Sequence, residues 1–261
     1  MTDQPILEAI DLTLCFGAVT AFENITLSVG EGEFVAVIGP NGAGKTSLFN
    51  VLSCIYRPTR GRIMLAGRDL EGMQVKDLAG AGVARTLQNL GLFRNLSVLD
   101  NVLVGRHHLM RSGSLRGGVW FGFARAEERT HRLAAMEALA FCGIEGFAAA
   151  PVATLPYGIQ KKVELARALA MEPSLLLLDE PVAGMSVSER SEITALVRRL
   201  HRERRMAIVL VEHDMGMVMQ VAERVVVLDF GRLIADGTPA AVQRDERVIR
   251  AYLGEPLEVG G

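Results

Sequence analysis

The stretch Gly39-Pro40-Asn41-Gly42-Ala43-Gly44-Lys45-Thr46 leaves this chain few folds to choose from. An apolar run at residues 34–38 precedes it and reads as a buried strand. Residues 47–52 come after it and read as a helix. A glycine loop between strand and helix, ending in Gly-Lys-Thr, is the pattern of a phosphate cradle. Its glycines let backbone N–H groups turn inward as an anion nest. The helix N-terminus adds the positive end of its dipole. In such a cradle Lys45 reaches the β- and γ-phosphates, and the Thr46 hydroxyl ligates Mg²⁺. The plain alternative is a glycine-rich turn with a chance Lys-Thr, and the rest of the chain argues against it.

A second feature stands far along the chain. Leu175-Leu176-Leu177-Leu178 runs straight into Asp179-Glu180. Ligands in α/β folds sit at strand C-termini. Asp179 would hold Mg²⁺, directly or through water, and Glu180 would face the γ-phosphate and polarise the attacking water. The competing reading is an exposed acidic turn.

Bulk properties exclude several classes. The net charge of −2 over 261 residues gives nucleic acid no global attraction. No apolar run reaches the roughly 18–20 residues of a membrane span. The first residues lack a basic stretch followed by an apolar one, so no secretory signal is expected. Cys15, Cys54 and Cys142 are odd in number and far apart, which suits buried free thiols in a reducing compartment. No Cys or His pair has metal-ligand spacing.

Alternation at Leu12, Leu14 and Phe16, and at Ile25, Leu27 and Val29, predicts antiparallel strands at a sheet edge. Residues from about 86 to 157 differ in character. Helical periodicity marks 97–106 and 126–141, with Leu133, Met136, Ala140 and Phe141 as the expected buried face. Between them, residues 107–125 read as a long loop or weak helix. Arg106, Arg111, Arg116 and Arg125 lie in or beside it, either as a solvated surface or facing anionic headgroups. From residue 155 strands and helices alternate again. The expected organisation is one unit. About 1–85 and 158–253 form an α/β core, about 86–157 an inserted helical subdomain, and 254–261 a tail.

Leu155-Pro156-Tyr157-Gly158-Ile159-Gln160, followed by a helix ending Ala166-Arg167-Ala168-Leu169, resembles the signature segment of ATP-binding-cassette (ABC) ATPases. Val211-Glu212-His213-Asp214 is similar to the switch-histidine segment of that family. The resemblance spans residues 7 to about 253. It is strongest to the ATPase subunits of branched-chain amino-acid importers, the LivG type, through 92–98, 101–105, 181–185, 212–215 and 248–255. Leu92 and Phe93 are candidates for the groove that receives a permease coupling helix; the alternative is ordinary packing in the helical insert.

The resemblance implies a P-loop NTPase core with an antiparallel β edge subdomain and an inserted α-helical subdomain. It implies ATP and Mg²⁺ as ligands. Nucleotide binding would fall to Gly39, Asn41, Gly42, Gly44, Lys45, Thr46 and Ser47, with Phe16 stacking on adenine unless it is a core aromatic. Tyr157 and Gly158 would contact the nucleotide of a partner chain. Glu180 and His213 would serve catalysis, and Gln88 would sense both Mg²⁺ and water. The implied assembly is a homo- or heterodimer of cassettes on membrane permease subunits, indirectly served by a periplasmic or extracellular binding protein. It would sit peripherally on the cytoplasmic side of the inner membrane. The same motor on a urea or lipopolysaccharide transporter, or a soluble ABC ATPase of iron–sulfur assembly, remains the alternative. Two departures stand out. The signature serine, glycine and glutamine are Pro156, Tyr157 and Ile159, and Ser186 stands where many relatives have Asp.

Overall fold

The computed structural model describes residues 4–86, 90–110 and 121–253. Strands β1 (Leu7–Phe16) and β2 (Val19–Val29) form a hairpin, and β3 (Phe34–Ile38) leads into α1 (Lys45–Leu52). Next come β4 (Arg60–Leu65), β5 (Arg68–Asp69), α2 (Val75–Leu78) and β6 (Val83–Arg85). Helices α3 (Val98–Gly105), α4 (Phe121–Phe141) and α5 (Tyr157–Ala170) come after them. The chain returns to alternation with β7 (Leu175–Asp179), α6 (Val187–Arg204), β8 (Ala207–Val211), α7 (Met215–Val221) and β9 (Arg224–Asp229). It finishes through β10 (Arg232–Gly237), α8 (Pro239–Val242) and α9 (Glu246–Leu253).

One sheet has the order β10-β9-β3-β8-β7-β6. Its strands pair in parallel except for the β9–β10 hairpin. Every residue of β3, β7 and β8 is buried, as continuous apolar runs require when both faces are covered. Alternation still sorts them by face. Phe34, Ala36 and Ile38 join a core with α5, α6 and α7, while Val35 and Val37 join one with α1 and the other sheet.

The N-terminal strands are antiparallel as expected, with β2 at a sheet edge. They form a separate antiparallel sheet, β2-β1-β4-β5. Register shifts around Leu12 and Leu14 bend β1, with Asp11 at φ 50°, so the sheet curves over α1 rather than extending the parallel one. Leu12 and Leu14 are buried as expected, but Phe16 reaches the hairpin end and is exposed.

The expected face of α4 is also corrected. His131, Ala135, Ala138, Leu139 and Cys142 are buried, whereas Leu133 is 56 % exposed and Ala140 faces solvent. The positions i, i+4, i+7, i+8 and i+11 form one stripe, but a histidine and alanines gave it no strong apolar signal. Arg106 draws His131 inward, donating from Nε to His131 Nδ1 at 3.0 Å. Its terminal nitrogen also bonds Ala170 O at 2.6 Å and Glu172 at 2.8 Å. Arg106 is therefore a buried clamp between the helical segment and α5, not a surface cation. Arg111 and Arg116 lie outside the described residues.

Candidate active site

Strands β3, β8 and β7 are neighbours and parallel, so Gly39, Glu212 and Glu180 emerge side by side at one sheet edge. This edge brings together most of the expected site.

The loop after β3 tolerates no side chain at two glycines. A Cβ at Gly39 (φ 151°) would sit 2.0 Å from Leu228 O, and one at Gly44 (φ 96°) 2.7 Å from Ala21 O. Gly44 caps α1 with no side-chain bond, and the first turn holds no acidic residue. The leading N–H groups of α1 therefore point at an anion site. Lys45 is buried, and its Nζ donates to Gly39 O and Pro40 O, both at 2.8 Å. An ammonium has three donors, and two hold the loop in its curve. Burial lowers the Lys45 pKa, and the nearby Glu180 charge opposes that shift. Asn41, Gly42 and Thr46 are exposed at the rim, with Ser47 half-buried behind them.

At the end of β7, Asp179 is buried and its Oδ2 accepts from Arg85 at 3.0 Å. Burial pushes its carboxyl up, and the Arg85 hydrogen bond and charge pull it back down. Glu180 adopts φ 44°, a left-handed conformation costing a non-glycine residue on the order of 1–3 kcal/mol. Its amide donates to Val211 O at 2.9 Å, tying it to the end of β8. Its Oε1 lies 2.8 Å from His213 Nε2. An ionised carboxylate only accepts, so Nε2–H is the donor.

Glu212 carries a role that the sequence does not assign. It is buried, and it takes the amides of His213 (2.7 Å), Asp214 (2.9 Å) and Val182 (3.2 Å). It thus fixes the histidine's backbone to the segment after Glu180. Its sequence signals are its place in the Val211–Asp214 segment and a carboxylate directly after an apolar strand. Asp214 caps α7 through the Met217 amide at 2.8 Å and pairs with Arg190 at 2.8 Å.

Phe16 is 48 % exposed and meets Tyr56 edge-on, centroids 5.2 Å apart. It is an accessible aromatic edge, not a core residue. Pro156 precedes α5 and gives no capping bond. Tyr157 is exposed and Gly158 buried, and a Cβ on Gly158 would lie 2.9 Å from Glu189 Oε1. Glu189 is held by Ser186, whose amide and hydroxyl donate to it at 2.9 and 2.7 Å. Those bonds, with the Gly158 amide behind them, keep the exposed Glu189 carboxyl below the usual range. Ser186 is thus an N-cap for α6 and forms a capping box with Glu189. Gln88 lies outside the described residues.

This geometry fits a magnesium nucleotide. The loop is too tight for a Cβ at Gly39 or Gly44, the helix N-terminus is uncapped, and a buried lysine, a hydroxyl and two carboxylates stand beside it. The set can hold a polyphosphate and present a carboxylate, backed by an imidazole, to water.

Residues 22–183 match the family model described as "ABC transporter". The chain belongs to the ABC transporter family. The cassette's C-terminal stretch, residues 232–258, matches a second model described as "Branched-chain amino acid ATP-binding cassette transporter". The chain is 40 % identical to LivG of Salmonella typhimurium, a high-affinity branched-chain amino acid transport ATP-binding protein, over 97 % of this chain and 99 % of LivG. Among solved structures, the ADP conformation of MJ1267, an ATP-binding cassette of an ABC transporter, superposes with a TM-score of 0.81 at 25 % identity. That match covers 97 % of this chain and all of MJ1267. The dimeric post-hydrolysis state of the cassette MJ0796, bound to ADP and Pi, gives 0.74 at 26 % identity over 89 % of this chain and 98 % of that one. The cassette is an ATP-binding, ATP-hydrolysing transporter component with the ABC ATPase fold. No helix among the described residues is long and apolar enough to cross a membrane.

Proposed function

We propose that the cassette is the motor of an importer for branched-chain amino acids. The observation that carries the substrate class is the C-terminal match at 232–258, added to near full-length similarity to LivG. Its partners are a second cassette, identical or homologous, and two membrane permease subunits. It works on the cytoplasmic face, and a substrate-binding protein delivers cargo from the other side.

In this reading the amides of the Gly39–Thr46 loop, the start of α1 at Ser47 and the Lys45 ammonium bind the β- and γ-phosphates. Asn41 lies at the rim and Phe16 offers its exposed ring to adenine. Thr46 and Asp179 would hold Mg²⁺, and the family resemblance gives Gln88 the part of sensing Mg²⁺ and water. A Mg²⁺ ion held by these residues would supply charge neutralisation to the phosphates. Glu180 orients the attacking water and draws its proton, and His213 Nε2–H steadies the Glu180 carboxylate. Tyr157 and Gly158 act in trans, on the nucleotide of the partner chain. A γ-phosphate arriving at Gly158 meets the exposed Glu189 carboxylate, so the two anions compete for one helix N-terminus.

Phe93 supports the permease contact. It is 54 % exposed, yet its backbone is fixed by buried Asn101, which accepts from the Phe93 amide at 2.8 Å and donates to Phe93 O at 3.0 Å. A rigidly presented aromatic is what a docking helix needs.

The test is uptake of labelled leucine, isoleucine, valine and urea in cells with and without this chain. Deletion is expected to abolish high-affinity uptake of the branched amino acids and leave urea uptake unchanged. Unaltered leucine, isoleucine and valine uptake would overturn the substrate class.

A further inference from the structure

Arg85 ends β6, outside the phosphate loop, the acidic strand and the switch segment. Its guanidinium nevertheless links the acidic strand to the helix that begins at the phosphate loop. One terminal nitrogen donates both to Asp179 Oδ2 at 3.0 Å and to Asn50 Oδ1, on α1, at 2.9 Å. The other donates to Ser53 Oγ at the α1 C-cap. The guanidinium carbon lies 4.7 Å from the centroid of the Phe49 ring, also on α1. The next residue acts on the same aspartate, since Thr86 Oγ1 accepts the Asp179 amide at 3.2 Å.

From these contacts we infer that Arg85 is a positioning residue for the Mg²⁺ site, setting where the Asp179 carboxylate stands relative to α1. The inference rests on the reading above, in which Thr46 and Asp179 hold the metal. Thr46 lies in the first turn of α1 and Asp179 ends β7, so they belong to different elements. A guanidinium bonded to Asn50 and Ser53 on one side and to Asp179 on the other makes their separation a fixed distance. It occupies Oδ2 alone, which leaves the carboxylate's other oxygen for the site. Arginine suits this role because its planar fork reaches several acceptors at once, which a lysine ammonium cannot do in the same geometry. The arrangement leaves Arg85 Nε buried without a hydrogen-bond partner among the described residues. Burying an unmade donor is costly, so packing alone would not favour this cation over an apolar side chain.

The experiment uses the purified full chain, a fluorescent ATP analogue and a Mg²⁺ titration of nucleotide binding. Binding in EDTA is the reference, and Tm without nucleotide reports folding. Outer partners of a metal ligand typically govern affinity by about 10–100-fold. Arg85→Gln should therefore raise the Mg²⁺ concentration for half-maximal effect by roughly tenfold or more, with EDTA binding within about twofold of wild type. Arg85→Lys should fall between the two. Asp179→Asn should raise it as well, and the double variant should be no worse than Asp179→Asn alone, because the two residues act as one unit.

Unchanged Mg²⁺ dependence in a folded Arg85→Gln chain, or additive losses in the double variant, would overturn the inference. Should Arg85→Gln not fold, Arg85→Lys decides by the same criterion. Unchanged Mg²⁺ dependence in Asp179→Asn would instead remove the metal assignment itself. A shift in Asp179→Asn without one in the Arg85 variants would remove only the role of Arg85.

Discussion

Glu180→Gln is expected to bind ATP with near wild-type affinity and to lose about 10²–10⁴-fold in turnover, the span for a group that moves a proton. Glutamine keeps the shape of the side chain. Its amide oxygen can still accept from His213 Nε2, now 2.8 Å from Glu180 Oε1. It cannot take a proton from water. The backbone should not suffer, because the Glu180 amide bond to Val211 O is unaffected by the change. Phosphate release by the assembled transporter measures the loss, and nucleotide retention measures the binding. Turnover within a few-fold of wild type would mean that His213 or another group carries the step.

Lys45→Ala should all but abolish nucleotide binding. A hydrogen bond to a charged group contributes roughly 1.5–3 kcal/mol. Losing the one donor that the loop leaves for phosphate weakens affinity by about ten- to a hundredfold on its own. The variant also frees Gly39 O and Pro40 O, which Lys45 now holds at 2.8 Å, so the loop loses its internal brace. The same residue gives a pH signature. Burial holds its ammonium below the ordinary lysine value. As pH rises through that lowered value the free chain loses the proton, and phosphate must then recruit it back. Wild-type affinity should decline in alkaline solution earlier than an exposed lysine would allow, and Lys45→Ala should lack that decline. Equilibrium titration with a fluorescent ATP analogue at several pH values reads both effects.

Much of this site was legible because its chemistry is concentrated at strand ends. Runs as apolar as 34–38, 175–178 and 207–211 can only be buried strands, and the residues just after each run must emerge at the same sheet edge. Phosphate loop, acidic pair and histidine therefore met in space without any tertiary information. The residues that stayed hidden have roles that depend on partners far along the chain. Arg85 reads as an ordinary strand-end cation until Asn50 and Asp179 surround it. Glu212 was visible as part of a motif, but its three amides come from two separate segments. Glu189 belongs to α6, and only folding sets it against Gly158 in α5. The face of α4 failed for the opposite reason. Met136 and Phe141 do pack against the core, but the sequence favours Leu133 and Ala140 over a stripe of alanines, and the histidine on that stripe meets Arg106. Proline in place of the signature serine was legible as a lost cap, and Pro156 indeed makes no capping bond.

The proposed site is shared between two chains, with the Gly39–Thr46 loop of one facing Tyr157 and Gly158 of the other. Cysteine cross-linking measures it most directly. Asn41→Cys and Tyr157→Cys replace two exposed side chains, in a background with the half-buried Cys15 and Cys54 changed to serine. Cys142 is buried with its thiol pushed up to about 12, so it stays unreactive at neutral pH. In the assembled transporter carrying Glu180→Gln, with the matching cysteines placed in the partner cassette, identical or homologous, ATP with Mg²⁺ should give an intersubunit disulfide between position 41 of one cassette and position 157 or its counterpart in the other, and ADP should not. Cross-linking that is absent with ATP, or that is the same with ADP, would contradict the shared site.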